Sequence, residues 1–205
     1  MAVANDFAWA QNAQTLKLAN FHATGTGVTA AATSDIACQT LAAPTATTAV
    51  TGAQSLLSAA NSQTYKTSAT VNYTSSLAIT EWGLHTAAAL SATTGTPFTA
   101  TTAASATVTG TPYSASSGTV QGEQQLIVKP GTTAVYGLIL SNTTSVLTVP
   151  AWYKVADGTA GATPGGAEAF TLLPVLWDHK VFSAINVNNG DSVTYNYSLA
   201  INSGG

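Results

Sequence analysis

Apolar and polar side chains alternate along much of this chain, and the clearest stretch is residues 192–201. There Val193, Tyr195, Tyr197, Leu199 and Ile201 fall on one side, while Ser192, Thr194, Asn196, Ser198 and Ala200 fall on the other. A period of two predicts a β-strand with one buried and one wet face. Asn188-Asn189-Gly190-Asp191 precedes it, and residues 180–187 form another extended run. An Asn-Gly pair between two such runs predicts an antiparallel hairpin over residues 180–201.

Residues 132–140 read differently. Val135, Tyr136, Leu138, Ile139 and Leu140 are nearly continuous, as in a central strand covered on both faces. Lys129-Pro130-Gly131 supplies a turn before it, and residues 126–128 would be its hairpin partner. Residues 66–73 and 77–84 read as a second strand pair about Thr74-Ser75-Ser76. Further runs at 16–21, 146–149, 152–155 and 170–177 bring the total to about nine or ten strands. Only residues 54–60 suggest a turn or two of helix, because dense Thr and Ser disfavour long helices. The pattern predicts an all-β chain: one antiparallel β-sandwich domain over residues 1–205, of jelly-roll or Greek-key type, with an N-terminal arm at 1–15. Residues 87–118 and 157–166 are rich in small residues. They read as long low-complexity loops or arms, ordered by a neighbouring subunit.

Composition narrows the function. The chain has no arginine, and its five lysines and eight acids give a formal net charge of −3. So little positive charge excludes a basic nucleic-acid module. No stretch approaches the ~18 apolar residues of a membrane-spanning helix. The N-terminal residues carry no signal-peptide pattern, so synthesis in a cytoplasm, with retention there or release by cell lysis, is expected. A surface of Thr, Ser, Ala, Asn and Gly meets other protein surfaces with little desolvation cost, which suits packing against copies of itself or a partner.

Candidate chemistry is sparse. Asp178-His179-Lys180 joins an acid, an imidazole and an amine, but neighbours on a strand face opposite ways. The simpler reading is a polar corner. Glu81 stands among Leu77, Ile79, Trp82 and Leu84, and a carboxylate there needs a partner. It reads as a structural carboxylate paired with Lys66, Lys180 or a backbone amide. An enzymatic reading requires two acids across a cleft, and Glu81 with Asp178 is the one plausible couple. His22 and His85 read as strand-end histidines. Cys38 and three scattered histidines offer no recognisable metal-ligand spacing, and no cofactor is expected. Gly25-Thr26-Gly27 is too short for a phosphate loop. Trp9, Trp82, Trp152 and Trp177 read as core and interface anchors rather than a sugar cleft.

Three segments together resemble a known group. They are residues 20–27 (Asn-Phe-His-Ala-Thr-Gly-Thr-Gly), residues 73–84 with Thr80-Glu81-Trp82-Gly83-Leu84, and residues 176–187 with Phe182-Ser183-Ala184-Ile185-Asn186. In this order they resemble virion structural proteins of tailed bacteriophages, the head-decoration, minor structural and tail-fibre kinds. Related sequences are often shorter between these pieces, so residues 87–177 look like a long insertion. The resemblance implies a non-enzymatic virion component. The leading expectation is a capsid cement protein on the capsid surface, a homo-oligomer such as a trimer, bridging copies of the major capsid protein. A tail or fibre adhesin is the alternative. Interface residues expected on this reading are Asp6, Phe7 and Trp9 in the N-terminal arm, and Phe98, Pro112 and Tyr113 in the polar insertion.

Overall fold

A computed structural model describes residues 18–32, 35–59, 62–90, 93–102, 105–108, 124–128, 134–138, 141–142, 146–149, 151–164 and 168–202. The described residues form sixteen strands, and every strand pairing is antiparallel. The all-β, sandwich-like class expected from the period-two pattern is what the chain adopts. Where one domain was expected, the strands gather into two compact units.

The first unit comprises residues 1–30, 38–89 and 176–205. It holds β1 (Phe21–Gly25), β2 (Leu41–Ala43), β3 (Val50–Thr51), β4 (Ala53–Ala59), β5 (Ser62–Asn72) and β6 (Leu77–His85). Beyond the second unit, which contributes strands β7 to β14, come β15 (Leu176–Val187) and β16 (Ser192–Asn202). One sheet runs β15-β6-β1-β2, with β3 also on β1, and the other runs β16-β5-β4. Val71, Tyr73, Ile79 and Val187 interlock between the two sheets with Val193 and Tyr195. Trp82 and Leu84 pack on Tyr195 and Tyr197. The apolar side chains of β16 are half-buried at every second position, as the alternation predicts.

Two of the three expected hairpins, those over 180–201 and 66–84, are absent. β15 pairs with β6 while β16 pairs with β5, so the turn at residues 188–191 carries the chain from one sheet to the other. Residues 73–76 do the same between β5 and β6. The Asn-Gly turn itself is present: Gly190 has φ of 92°, Asp191 N–H donates to Asn188 O, and Gly190 N–H donates to Tyr73 O. Its bonds to residue 73 fasten the two corners together. Residues 54–60 were expected to be helical, yet 53–59 are strand β4, in register with β5 from Ala53↔Ser68 to Ala59↔Ser62. Pairing with a long neighbour overrides weak local propensity. Of the strand expected at 16–21, residues 16–17 lie outside the described residues, and β1 begins at Phe21.

The second unit comprises residues 31–37 and 90–175, which nearly coincides with the stretch 87–177 read as inserted. Its strands are β7 (Thr93–Thr102), β8 (Ser105–Val108), β9 (Gln124–Val128), β10 (Val135–Leu138), β11 (Ser141–Asn142), β12 (Val146–Thr148), β13 (Tyr153–Lys154) and β14 (Glu168–Pro174). They form one sheet in the order β11-β12-β8-β7-β14-β9-β10-β13. The β9–β10 pairing expected about Lys129-Pro130-Gly131 is formed, from Val135↔Val128 to Leu138↔Gln125. The polar stretch expected to be an arm instead supplies β7 and β8 to this sheet, and residues 109–118 lie outside the described set.

Candidate functional site

Strand β6 changes its inward phase midway. Leu77 and Ile79 reach one core cluster, and Trp82 and Leu84 reach the next. The spacing is two, then three, then two, so the strand slips by one residue at Thr80–Glu81. Its neighbour β15 is irregular over the same stretch, between Val181 and Ile185. Such irregularities re-aim side chains. Glu81, Gly83 and His85 are thereby turned to the face opposite Trp82, and His179 of β15 stands beside them in register with Gly83.

The carboxylate of Glu81 is completely buried and carries four donors. Oε1 accepts from the backbone N–H of Gly27 at 3.2 Å and of Thr40 at 2.7 Å. Oε2 accepts from Gln39 N–H at 2.9 Å and from His179 Nε2 at 3.0 Å. Four donors fill the acceptor directions of its two oxygens. The expectation of a structural carboxylate held by backbone amides is what the geometry shows, with His179 in place of a lysine. Glu81 thus clamps the segments 25–29 and 38–40 onto the sheet. These segments are tied to each other by Thr26 N–H to Thr40 O and by a two-way amide bridge between Thr29 and the Gln39 side chain.

Glycine makes the close approach possible. A Cβ on Gly25 would meet the Thr40 carbonyl oxygen and Glu81 Oε1, and one on Gly83 would meet Cys38 Sγ. This is the role of Gly25-Thr26-Gly27, which sequence alone left unassigned. Gly25→Ala should destabilise the first unit by about 1–3 kcal/mol, the cost of overpacking against backbone that cannot yield. Urea unfolding followed by tryptophan fluorescence checks it, and an unchanged midpoint would contradict the close packing.

Cys38 and His85 complete the cluster. Cys38 Sγ lies 3.8 Å from His85 Nε2. The ligand atoms of Cys38, Glu81 and His179 all lie within 4.8 Å of one another. His85 is 3% exposed, and its Nδ1 has no hydrogen-bond partner among the described residues. Burial pushes its pKa down to about 4, with the Phe21 backbone opposing and the His179 charge reinforcing the shift. The ring is therefore neutral at neutral pH, the form in which imidazole binds metals.

His22, on β1, is also fully buried but belongs to a different network. Trp82 Nε1–H donates to its Nδ1 at 3.2 Å, which leaves Nε2–H to face Thr67 Oγ1 at 3.1 Å. Burial pushes its pKa down to about 4.

A second feature lies along β15 and β16. An open cleft of about 750 Å³ is lined by Trp82, Phe182, Ile185, Tyr195, Tyr197 and Leu199, with Asp178 and Lys180 among its polar groups. Trp82 and Tyr197 stack with ring centres 6.0 Å apart. Asp178 and His179 do point into different surroundings, as strand geometry demands. Asp178 accepts from the His179 backbone N–H and lines the cleft, whereas Glu81 does not. Glu81 is not among the residues that line this cleft, so the Glu81–Asp178 couple does not meet across it.

Of the expected interface residues, Asp6, Phe7, Trp9, Pro112 and Tyr113 lie outside the described residues. Phe98 is on β7, opposite Val108 and Glu168, and its side chain is likewise outside the described set. Trp82 and Trp152 are buried, as core anchors should be. The Cys38–Glu81–His85–His179 cluster escaped sequence reading because its members come from three separate stretches. The available signal was the run Glu81, Gly83, His85, polar or small at alternate positions of a strand that also carries Leu77, Ile79, Trp82 and Leu84. No protein-family profile, curated protein or solved structure matches this chain.

Proposed function

We propose that this chain is a non-enzymatic structural component of a virion, a capsid cement protein that stabilises an assembled phage head by bridging major capsid subunits and copies of itself. The observation that carries the binding role is the edge strand β16. It is eleven residues long, it pairs only with β5 among the described residues, and it contains no charged residue and no proline. Folded proteins that stay monomeric blunt such edges with charge, proline or bulges, because unpaired N–H and C=O groups invite another strand. β15, at the same margin of its own sheet, is twelve residues long. The apolar cleft beside these two strands offers a seat for partner side chains. The station in a virion rests on the resemblance of residues 20–27, 73–84 and 176–187. A protein that binds only the assembled lattice stabilises that lattice by its own binding free energy, and repeated weak sites add through effective concentration.

Imaging of purified particles tests this directly: density for the chain should be spread over the capsid shell. The double variant Ser198→Lys/Ala200→Lys places charge on the exposed face of β16. It should remain folded and lose at least tenfold in capsid occupancy, about 1.4 kcal/mol of binding. Full occupancy by that variant would remove β16 from the contact.

The aromatic cleft favours one second reading, a tail or fibre adhesin for a host glycan. Stacked aromatic side chains with a few polar groups form the usual lining of a small-ligand site. Density confined to the tail in the same images would select it over the cement reading.

A further inference from the structure

The buried cluster does more than clamp two segments. We propose that Cys38, Glu81, His85 and His179 form a binding site for a divalent cation of zinc type, which locks segments 25–29 and 38–40 onto the sheet.

Three potential ligand atoms, Cys38 Sγ, a Glu81 carboxylate oxygen and a His179 ring nitrogen, already stand within 4.8 Å of one another, all buried. The fourth ligand, His85, approaches Cys38 through Nε2 at 3.8 Å. Zinc bonds of 2.3 Å to sulfur and 2.0–2.1 Å to nitrogen place two ligands of a tetrahedral ion about 3.5 Å apart. Cys38, Glu81 and His179 already stand near that spacing, and His85 would turn in from its place beside Cys38. His85 is itself buried, and the ring nitrogen it turns toward the sulfur is Nε2.

Charge also favours the assignment. On binding, the thiol of Cys38 releases its proton to solvent, and His179 offers the Nε2 lone pair in its Nδ1–H form. A thiolate, a carboxylate, two neutral imidazoles and a divalent ion sum to zero, which suits a buried site. The backbone amides of Gly27, Gln39 and Thr40 remain on Glu81 and orient it, as outer-shell donors do for ligating carboxylates. A set with one thiolate, two imidazoles and one carboxylate matches zinc or cobalt better than the oxygen-seeking calcium or magnesium. The site is independent of the capsid reading and would hold in a protein of any station.

Cobalt(II) titration of the full chain, reduced and stripped with a chelator, tests it. One equivalent should bind, with a thiolate-to-cobalt charge-transfer absorption in the near ultraviolet and the intense visible bands of a tetrahedral ion. Zinc(II) should erase both and raise the melting temperature. Cys38→Ser is close to isosteric and should fold, as circular dichroism can verify. It should lose the charge-transfer band and weaken binding by more than the ~10–100-fold that loss of an outer-shell partner costs. His85→Asn should weaken binding at least tenfold, and unchanged affinity would strike His85 from the ligand set. No charge-transfer band in the unmodified chain, or a band that survives Cys38→Ser, overturns the site.

Discussion

Replacing Glu81 with alanine should destabilise the metal-free first unit by about 3–5 kcal/mol, the cost of leaving several buried donors without their acceptor at once. The reason is local and countable. The substitution strands the N–H groups of Gly27, Gln39 and Thr40, and it leaves His179 Nε2 facing an apolar void. Each buried donor without an acceptor costs roughly 1–3 kcal/mol, although water admitted to the gap would recover part of that. Glu81→Gln should be milder, because its amide oxygen still accepts while its NH2 opposes donors already aimed at it. Urea unfolding in the presence of a chelator measures both. Amide hydrogen exchange at residues 27, 39 and 40 should accelerate before global unfolding. A loss below about 1 kcal/mol for Glu81→Ala would mean that the carboxylate is not the clamp its contacts describe.

The second large effect is acid sensitivity. An unfolded histidine takes up a proton near pH 6.5, but His22 in the folded protein does so only near pH 4, because burial disfavours the cation. Between these values the unfolded state binds more protons, so stability must rise with pH across the window. The stability is complete above about pH 6.5 and is lost as pH falls toward 4, by up to about 3 kcal/mol for this residue. Protonation would also set a new Nδ1–H against the Trp82 N–H that now donates there. His85, likewise pushed down to about 4, titrates in the same window. His22→Gln should therefore reduce the difference in urea midpoint between pH 7 and pH 4.5 without abolishing it. An identical pH dependence in the variant would contradict the burial of a neutral His22.

What the sequence made legible was whatever depends on near neighbours. The alternation in β16, the β9–β10 pairing around Lys129-Pro130-Gly131 and the structural character of Glu81 all follow from patterns a few residues long. Two of the three expected hairpins failed for an instructive reason. Strand–turn–strand patterning records that the chain reverses, but a reversal within one sheet and a corner between two sheets leave the same alternation on either side. The difference lies in the partners, β6 for β15 and β5 for β16, and those are distant in sequence. The same distance hid the Cys38 cluster, since a strand slip at Thr80–Glu81 and the register of His179 with Gly83 are needed to assemble it. Residues 54–60 misled because Gln-Ser-Leu-Leu-Ser-Ala-Ala has some helical preference. Pairing with β5 outweighs it.

Where the chain departs from β6 and returns as β15, it does so on adjoining strands: Leu176 stands opposite His85. Joining these two positions by a short turn would restore an ordinary two-strand reversal, so the intervening residues are topologically an appendix that the sandwich does not need for its connectivity. Biosynthesis does feel them. Tyr73 and Tyr195 share a 2.9 Å hydroxyl bond across 122 residues of sequence, and long loops must close before such contacts can form. On a translating ribosome, β5 must therefore wait for β16 through the making of an entire second unit, with its edge open to chaperones or to strands from neighbouring nascent chains.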